Sequence, residues 1–305
     1  NTYWNTPTAP TMYDIDGDGE VEIVGIYTSN YTVNRASDGT MISSSQRDSF
    51  NILNIDGSSV NGWPRNCFAD VGYSYSPMVA DLDGDNKAEI IALCNKVVGG
   101  DYGSLRVHVW DSEGNPYPGR WPRTLASYLS NSAGAVADLD LDGEREIIFA
   151  SEDNYSIYVF DKNGNDSAGW PQKVKPDWYY VPIIGNVDSD SELEIVVGGR
   201  RTPILIFNHD GSLLKEITYP QTDYWNYGIS DPVLANLDSD PQNEIIFGFS
   251  NMAVGEGISN KIFAINADGS LVDGFPIVVY SPAYSPYVSD IDNDKRNEFL
   301  STLFS

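Results

Sequence analysis

DIDGDGEVE (Asp14–Glu22) returns along the chain as DLDGDNKAE (Asp81–Glu89), DLDLDGERE (Asp138–Glu146), NVDSDSELE (Asn186–Glu194), NLDSDPQNE (Asn236–Glu244) and DIDNDKRNE (Asp290–Glu298). All six copies carry Asp at the third and fifth positions and Glu at the ninth, and each leads into an apolar run. Oxygen donors at alternate positions of a tight turn, with a carboxylate four residues on, suit a hard cation. Calcium takes about six to eight oxygen ligands at roughly 2.3–2.6 Å, from carboxylates, a backbone carbonyl and water.

The copies start at 14, 81, 138, 186, 236 and 290, so successive starts lie 67, 57, 48, 50 and 54 residues apart. A period near 50 residues points to a repeat architecture. Each unit has the same inner pattern. A short apolar segment enters the acidic loop, as in SPMVADLDG (76–84) and DPVLANLDS (231–239), and a second leaves it, as in AEIIALC (88–94) and LEIVVGG (193–199). A third ends in a turn: RVHVWDSEG, SIYVFDKNG, PILIFNHDG and KIFAINADG. A fourth opens on an aromatic–proline pair: Trp63-Pro64, Trp121-Pro122, Trp170-Pro171, Tyr219-Pro220 and Phe275-Pro276. Four short β-branched and aromatic segments separated by Gly, Asn and Asp turns predict four antiparallel strands per unit. No long window shows helical periodicity with caps. The expected fold is all-β, a β-propeller of four-stranded blades, which leaves only short sheet edges.

On these residues the chain resembles the FG-GAP/VCBS-type calcium-binding propeller repeats, the group that includes the integrin α head. The resemblance spans nearly the whole chain and implies a structural Ca2+ in each loop between first and second strands. The implied ligands of the first loop are Asp14, Asp16, Asp18 and Glu22 with the carbonyl of Glu20. The same offsets give Asp81, Asp83, Asp85, Glu89 and the carbonyl of Lys87, then Asp138, Asp140, Asp142, Glu146 and that of Glu144. They continue with Asn186, Asp188, Asp190, Glu194 and the carbonyl of Glu192, and with Asn236, Asp238, Asp240, Glu244 and that of Gln242. The last set is Asp290, Asp292, Asp294, Glu298 and the carbonyl of Arg296. Up to six ions are expected. The sixth position favours a residue tolerant of positive φ and holds Gly19, Asn86 and Gly143 in the first three loops, but Ser191, Pro241 and Lys295 in the others. Proline cannot take positive φ. The fourth and fifth loops also begin with Asn, so weaker sites are expected there, weakest at Pro241.

One domain over residues 1–305 is expected, with six or seven blades. The sixth unit stops after its second strand, so either Asn1–Pro10 helps to close the ring or the chain is part of a larger propeller. The formal net charge is −26. Ligand positions one, three, five and nine account for 22 of the 44 acidic residues, and six divalent ions would bring −26 to −14. Without metal, their repulsion should destabilise the fold. This acidity argues against nucleic acid as a partner, and no stretch approaches the roughly 20 apolar residues of a membrane span. The chain has neither an initiating Met nor a signal peptide, which fits a processed secreted chain or a trimmed one. Loops of this kind suit millimolar extracellular calcium, so an extracellular location is expected. Sequons at Asn30, Asn154 and Asn165 are compatible with it. Cys67 and Cys94 are the only cysteines. Two buried free thiols are the expectation, with a disulfide between neighbouring blades as the alternative.

His108 sits in a strand pattern and His209 in a turn, and both read as packing or surface residues. No nucleophile elbow, zinc-protease pair or phosphate loop is present, so a non-enzymatic role is expected. A surplus of aromatic residues lies where one repeat leads into the next. From it Trp178, Tyr180, Tyr224, Trp225 and Tyr284 are taken as candidate ligand-binding residues, against the alternative that such rings wedge between blades. The expected function is a binding or adhesion module for a glycan or an extracellular protein, with self-association open. Propellers of rhamnogalacturonan lyases carry similar loops, so a polysaccharide lyase is one alternative and a structural subunit of an extracellular assembly is another.

Overall fold

The computed structural model describes residues 10–35, 41–67, 72–98, 101–125, 134–151, 154–174, 178–179, 181–200, 202–218, 227–238, 240–251, 260–279, 286–291 and 297–300. Among them there are strands and no helix, and the sheets are antiparallel. The first sheet joins Thr11–Tyr13, Glu22–Arg35, Met41–Leu53 and Arg65–Asn66 in chain order. In the second, Gly72–Ser74 and Met78–Ala80 both pair with Glu89–Val98, followed by Asp101–Trp110 and Arg123–Leu125. The third is Ala135–Ala137, Glu146–Ser151, Ser156–Phe160 and Gln172–Lys173, and the fourth is Ile183–Gly185, Glu194–Val197, Ile204–Phe207 and Leu213–Ile217. The fifth repeats the plan of the second, with Tyr227–Ile229 and Val233–Ala235 against Glu244–Asn251, then Asn260–Ile265 and Ile277–Val279. Two short pairs remain, Trp178–Tyr179 with Gly199–Arg200 and Tyr287–Ser289 with Glu298–Leu300.

Contacts divide the chain into two compact units. One comprises Asn1–Val136, Gly143–Ile147 and Phe160–Asp166, and the other Ala137–Asp142, Ile148–Val159 and Ser167–Ser305. The core of the first gathers Ile15, Val24, Phe50, Ile52, Ile90, Ala92 and Trp110. That of the second gathers Val196, Ile204, Ile206, Ile229, Ile245 and Phe247. The second strands of the second to fifth repeats show no inside–outside alternation, whereas in the first Ile23 is exposed beside buried Glu22 and Val24. Ile90 to Cys94 and Ile195 to Val197 are fully buried, because both faces of these strands are covered, and a strand covered on both faces reads as a continuous apolar run. Each buried Ile or Val contributes roughly 1.5–3 kcal/mol. The fourth strand, at the end of each sheet, is less buried by contrast, and in Leu213–Ile217 only Ile217 is buried.

The third and fourth strands are joined by one recurring turn. Gly57, Gly114, Gly164, Gly211 and Gly269 all take φ between +76° and +87° and donate N–H to the carbonyl three residues before. That is the three-residue hairpin with glycine at the left-handed position. Four aromatic–proline pairs sit directly before fourth strands and are cis; Tyr219-Pro220 lies outside the described residues, and the fourth strand of its sheet, Leu213–Ile217, comes before it rather than opening on it as expected. Trp63, Trp121 and Trp170 are buried, and each indole N–H reaches the next repeat's hairpin turn, at Ser112 O, Lys162 O and His209 O. Gly62, Gly119 and Gly169 all have positive φ, and a Cβ on any of them would collide with the carbonyl of Glu113, Asn163 or Asp210. Turn therefore lies on turn at each of these seams.

Cys67 and Cys94 form a disulfide, with Cα atoms 6.3 Å apart. This corrects the expectation of free thiols. Cys67 follows the fourth strand of the first sheet and Cys94 lies in the second strand of the next, and packing sheet on sheet brings both into one core.

Candidate metal centres

The described acidic loops are wound by their own side chains. In the first, the Asp14 carboxylate accepts N–H bonds from Gly17, Asp18 and Gly19 at 2.8, 3.1 and 2.9 Å. Asp81 repeats this with Gly84, Asp85 and Asn86 at 2.7, 3.2 and 2.9 Å. The next two acids each accept the N–H two residues on: Asp16 from Asp18, Asp18 from Glu20, Asp83 from Asp85 and Asp85 from Lys87. Such Asx turns curl the backbone and point successive carboxylates to one side. Asp14, Asp16 and Asp18 bring carboxylate oxygens within 4.8 Å of one another, as do Asp81, Asp83 and Asp85. Gly19, Asn86 and Gly143 have positive φ at the sixth position, as expected. Gly17, Gly84 and Leu141 do so at the fourth, which sequence reading missed. Gly17 and Gly84 were the available signal, and Leu141 concealed it.

The fourth and fifth loops are built differently. The Asn186 amide donates to Asp190 O at 2.6 Å, and the Asn236 amide donates to Asp240 O. Asparagine thus closes the turn by donating to a carbonyl where Asp closes it by accepting N–H groups, and neither Ser191 nor Pro241 needs positive φ. Even so, Asp188, Asp190 and Glu194 converge within 4.8 Å, as do Asp238, Asp240 and Glu244. Asp142 N donates to Asp140 at 3.3 Å, and the Glu144 side chain pairs with Lys162 at 2.6 Å. In the sixth loop Asp292, Asp294 and Arg296 lie outside the described residues. Asp290 is half-buried there, and Glu298 accepts Ile291 N–H at 2.8 Å.

The ninth-position glutamates distinguish these loops from ordinary acidic turns. Glu22, Glu89, Glu194 and Glu244 are buried. Each accepts the N–H of its own loop's second residue, from Ile15, Leu82, Val187 and Leu237 at 2.9, 2.8, 2.9 and 2.5 Å. Burial pushes all four carboxyls up, opposed by that N–H bond and reinforced by the neighbouring Asp charges, and it takes Glu89 and Glu194 to about 7. Oε1 of Glu194 and of Glu244 is buried without a hydrogen-bond donor. A buried carboxylate oxygen without a donor, in contact with further carboxylates, is costly, and a cation relieves it. The donor set is oxygen only, which suits Ca2+ or another hard divalent ion and not a thiolate- or imidazole-seeking metal. These clusters can hold metal ions.

Around the second loop, Tyr117 donates its hydroxyl to Asp83 at 2.8 Å, a partner that sequence reading missed. His108 stacks on Trp110 at 4.9 Å, and burial holds its imidazole down at about 4, so it is a neutral packing residue. Among the aromatic candidates, Trp178 is placed by its backbone, paired with Arg200. Tyr180, Tyr224, Trp225 and Tyr284 lie outside the described residues.

No protein-family model matches the sequence, and no curated protein matches it. Among solved structures, the chain is similar to the V. cholerae biofilm matrix protein Bap1, with 19% identity and a TM-score of 0.50. The match covers 93% of this chain and 41% of that one. The chain therefore spans less than half the length of that protein, and the likeness is one of fold.

Proposed function

We propose that the chain is a calcium-stabilised β-propeller of FG-GAP/VCBS-type repeats, a single domain that serves as an extracellular binding or matrix module. The observation that carries this reading is the buried ninth-position glutamate of four loops, which in the fourth and fifth converges with two aspartates. A globular protein gains nothing from burying a carboxylate among like charges unless a cation neutralises them. Up to six ions would be held between first and second strands, fixing the spacing of each four-stranded sheet. The cystine between Cys67 and Cys94 favours an oxidising compartment. The similar fold of a biofilm matrix protein supports an extracellular matrix or adhesion role. The partner would be a glycan or an extracellular protein, engaged through the aromatic segments around Trp178 and Trp225. No described helix is long and apolar enough to cross a membrane.

The test is native electrophoresis with calcium and then with chelator, through gels cast with different polysaccharides. Calcium-dependent retardation in one gel supports glycan binding, and its loss in W178A and W225A, with thermal stability kept, assigns the face. Shortening of the polymer would replace this reading with that of a lyase. Free migration in every gel turns the search to protein partners and self-association.

A further inference from the structure

The peptide joining Asn186 to Val187 is held at its two ends by two different acidic loops. Its carbonyl accepts both the backbone N–H and the side-chain amide of Asn243, each at 3.0 Å. Its N–H, on Val187, donates to Oε2 of Glu194 at 2.9 Å. Asn243 immediately precedes Glu244, the carboxylate that closes the fifth loop as Glu194 closes the fourth. A continuous path therefore runs from the Glu244 cluster through Asn243 and the 186–187 peptide to the Glu194 cluster. The arrangement recurs. Asp81 O accepts Arg145 Nη1 at 2.8 Å, while the next N–H, on Leu82, donates to Glu89. Asn236 O accepts Asn297 Nδ2 at 3.0 Å, while Leu237 N–H donates to Glu244. In every case the donor is the eighth residue of one loop, next to its ninth-position glutamate, and the acceptor opens the loop before it.

The fourth and fifth clusters each show an independent sign that a cation belongs there. Glu194 and Glu244 are fully buried, their Oε1 atoms have no hydrogen-bond partner, and their carboxylates lie within 4.8 Å of Asp188 with Asp190 and of Asp238 with Asp240. We propose that these two sites form a coupled pair, in which an ion in one loop raises the affinity of the other through Asn243. An ion drawing Glu244 into place fixes the adjoining Asn243 backbone. That fixes the 186–187 peptide, and the peptide N–H orients Glu194. The ordering is then already complete when the second ion arrives, which is positive coupling without a change of fold. The inference rests on the calcium reading above.

Hydrogen-exchange mass spectrometry across a calcium titration reads each loop separately. In the wild-type chain, peptides spanning 186–194 and 236–244 gain protection at one common calcium midpoint. D238N/D240N, which disables the fifth site, raises the 186–194 midpoint about fivefold or more. D188N/D190N raises the 236–244 midpoint by the same factor, a reciprocity that linkage requires and general damage would not produce. N243L leaves every ligand in place and separates the two midpoints, and it decides the matter if the double variants do not fold. An unchanged 186–194 midpoint in N243L and in any folded D238N/D240N overturns the coupling. Absence of any calcium-dependent protection in the wild-type chain instead overturns the calcium reading itself.

Discussion

Trp170 donates its indole N–H to the carbonyl of His209 at 2.9 Å, tying the end of one repeat to the hairpin turn of the next. The contact is repeated by Trp63 with Ser112 at 3.0 Å and by Trp121 with Lys162 at 2.8 Å. The neighbouring glycine allows it, because the turn carbonyl of the next repeat lies where a Cβ would be.

W170F keeps a ring in the seam but leaves the His209 carbonyl without its donor. It should cost about 1–2 kcal/mol, and W170A about 3–5 kcal/mol. G169A adds a Cβ at φ +82° against Asp210 O and should cost more than W170F, because backbone has to move. Urea unfolding in saturating calcium measures all three. A W170A cost near that of an exposed substitution would show that the seam contributes little.

E194Q should act in opposite directions with and without metal. The buried carboxylate is set against Asp188 and Asp190, so its neutral isostere relieves repulsion in chelator and raises the melting temperature. In calcium the same change removes a ligand charge and should weaken that site by more than about tenfold. Thermal melts in chelator and in excess calcium provide the comparison. A melting temperature lowered equally in both would mean that the carboxylate is structural only.

The stability of the metal-free chain should fall as pH rises between 5 and 8. Glu89 and Glu194 are pushed up to about 7 in the fold, against about 4.3 for an unstructured chain. The folded form thus holds protons that the unfolded form has already released. Their contribution is fully present below the unfolded value and lost as pH rises through about 7. Asp56, Asp210 and Asp268 are held low by hydrogen bonds from serines. They act in the opposite sense, but at more acidic pH. On the proposed calcium reading the ion meets the ionised glutamates, so it should stabilise most at pH 8 and progressively less below 7. Melting temperatures at pH 5, 6, 7 and 8, with and without calcium, test the sign.

Reducing the cystine should destabilise the first two repeats. Cys67 and Cys94 are 27 residues apart in sequence, and cross-linking a loop of that length is worth about 3–4 kcal/mol on the chain-entropy account. C67S/C94S should unfold at correspondingly lower denaturant, and reductant should shift the wild-type chain to match it.

The strands, hairpin turns and acidic loops could be read from the chain because each is a local matter. Alternating or continuous apolar runs mark strands, a glycine marks each left-handed turn, and acids two residues apart curl their own backbone. Asp14 to Asp18 converge through bonds that span at most five residues. Tertiary structure alone decided what joins distant residues. The cystine needs two sheets stacked in one core, and the tryptophan seams link residues 39 to 49 positions apart. Asn243 meets Asn186 across 57 positions, and nothing in the loop motif marks the eighth residue as a donor to the loop before it. The weakening expected from Asn186, Asn236 and Pro241 was likewise a local reading. Packing set Glu194 and Glu244 in a buried place beside two aspartates, and burial, which no stretch of nine residues can specify, is what pushes both carboxyls up.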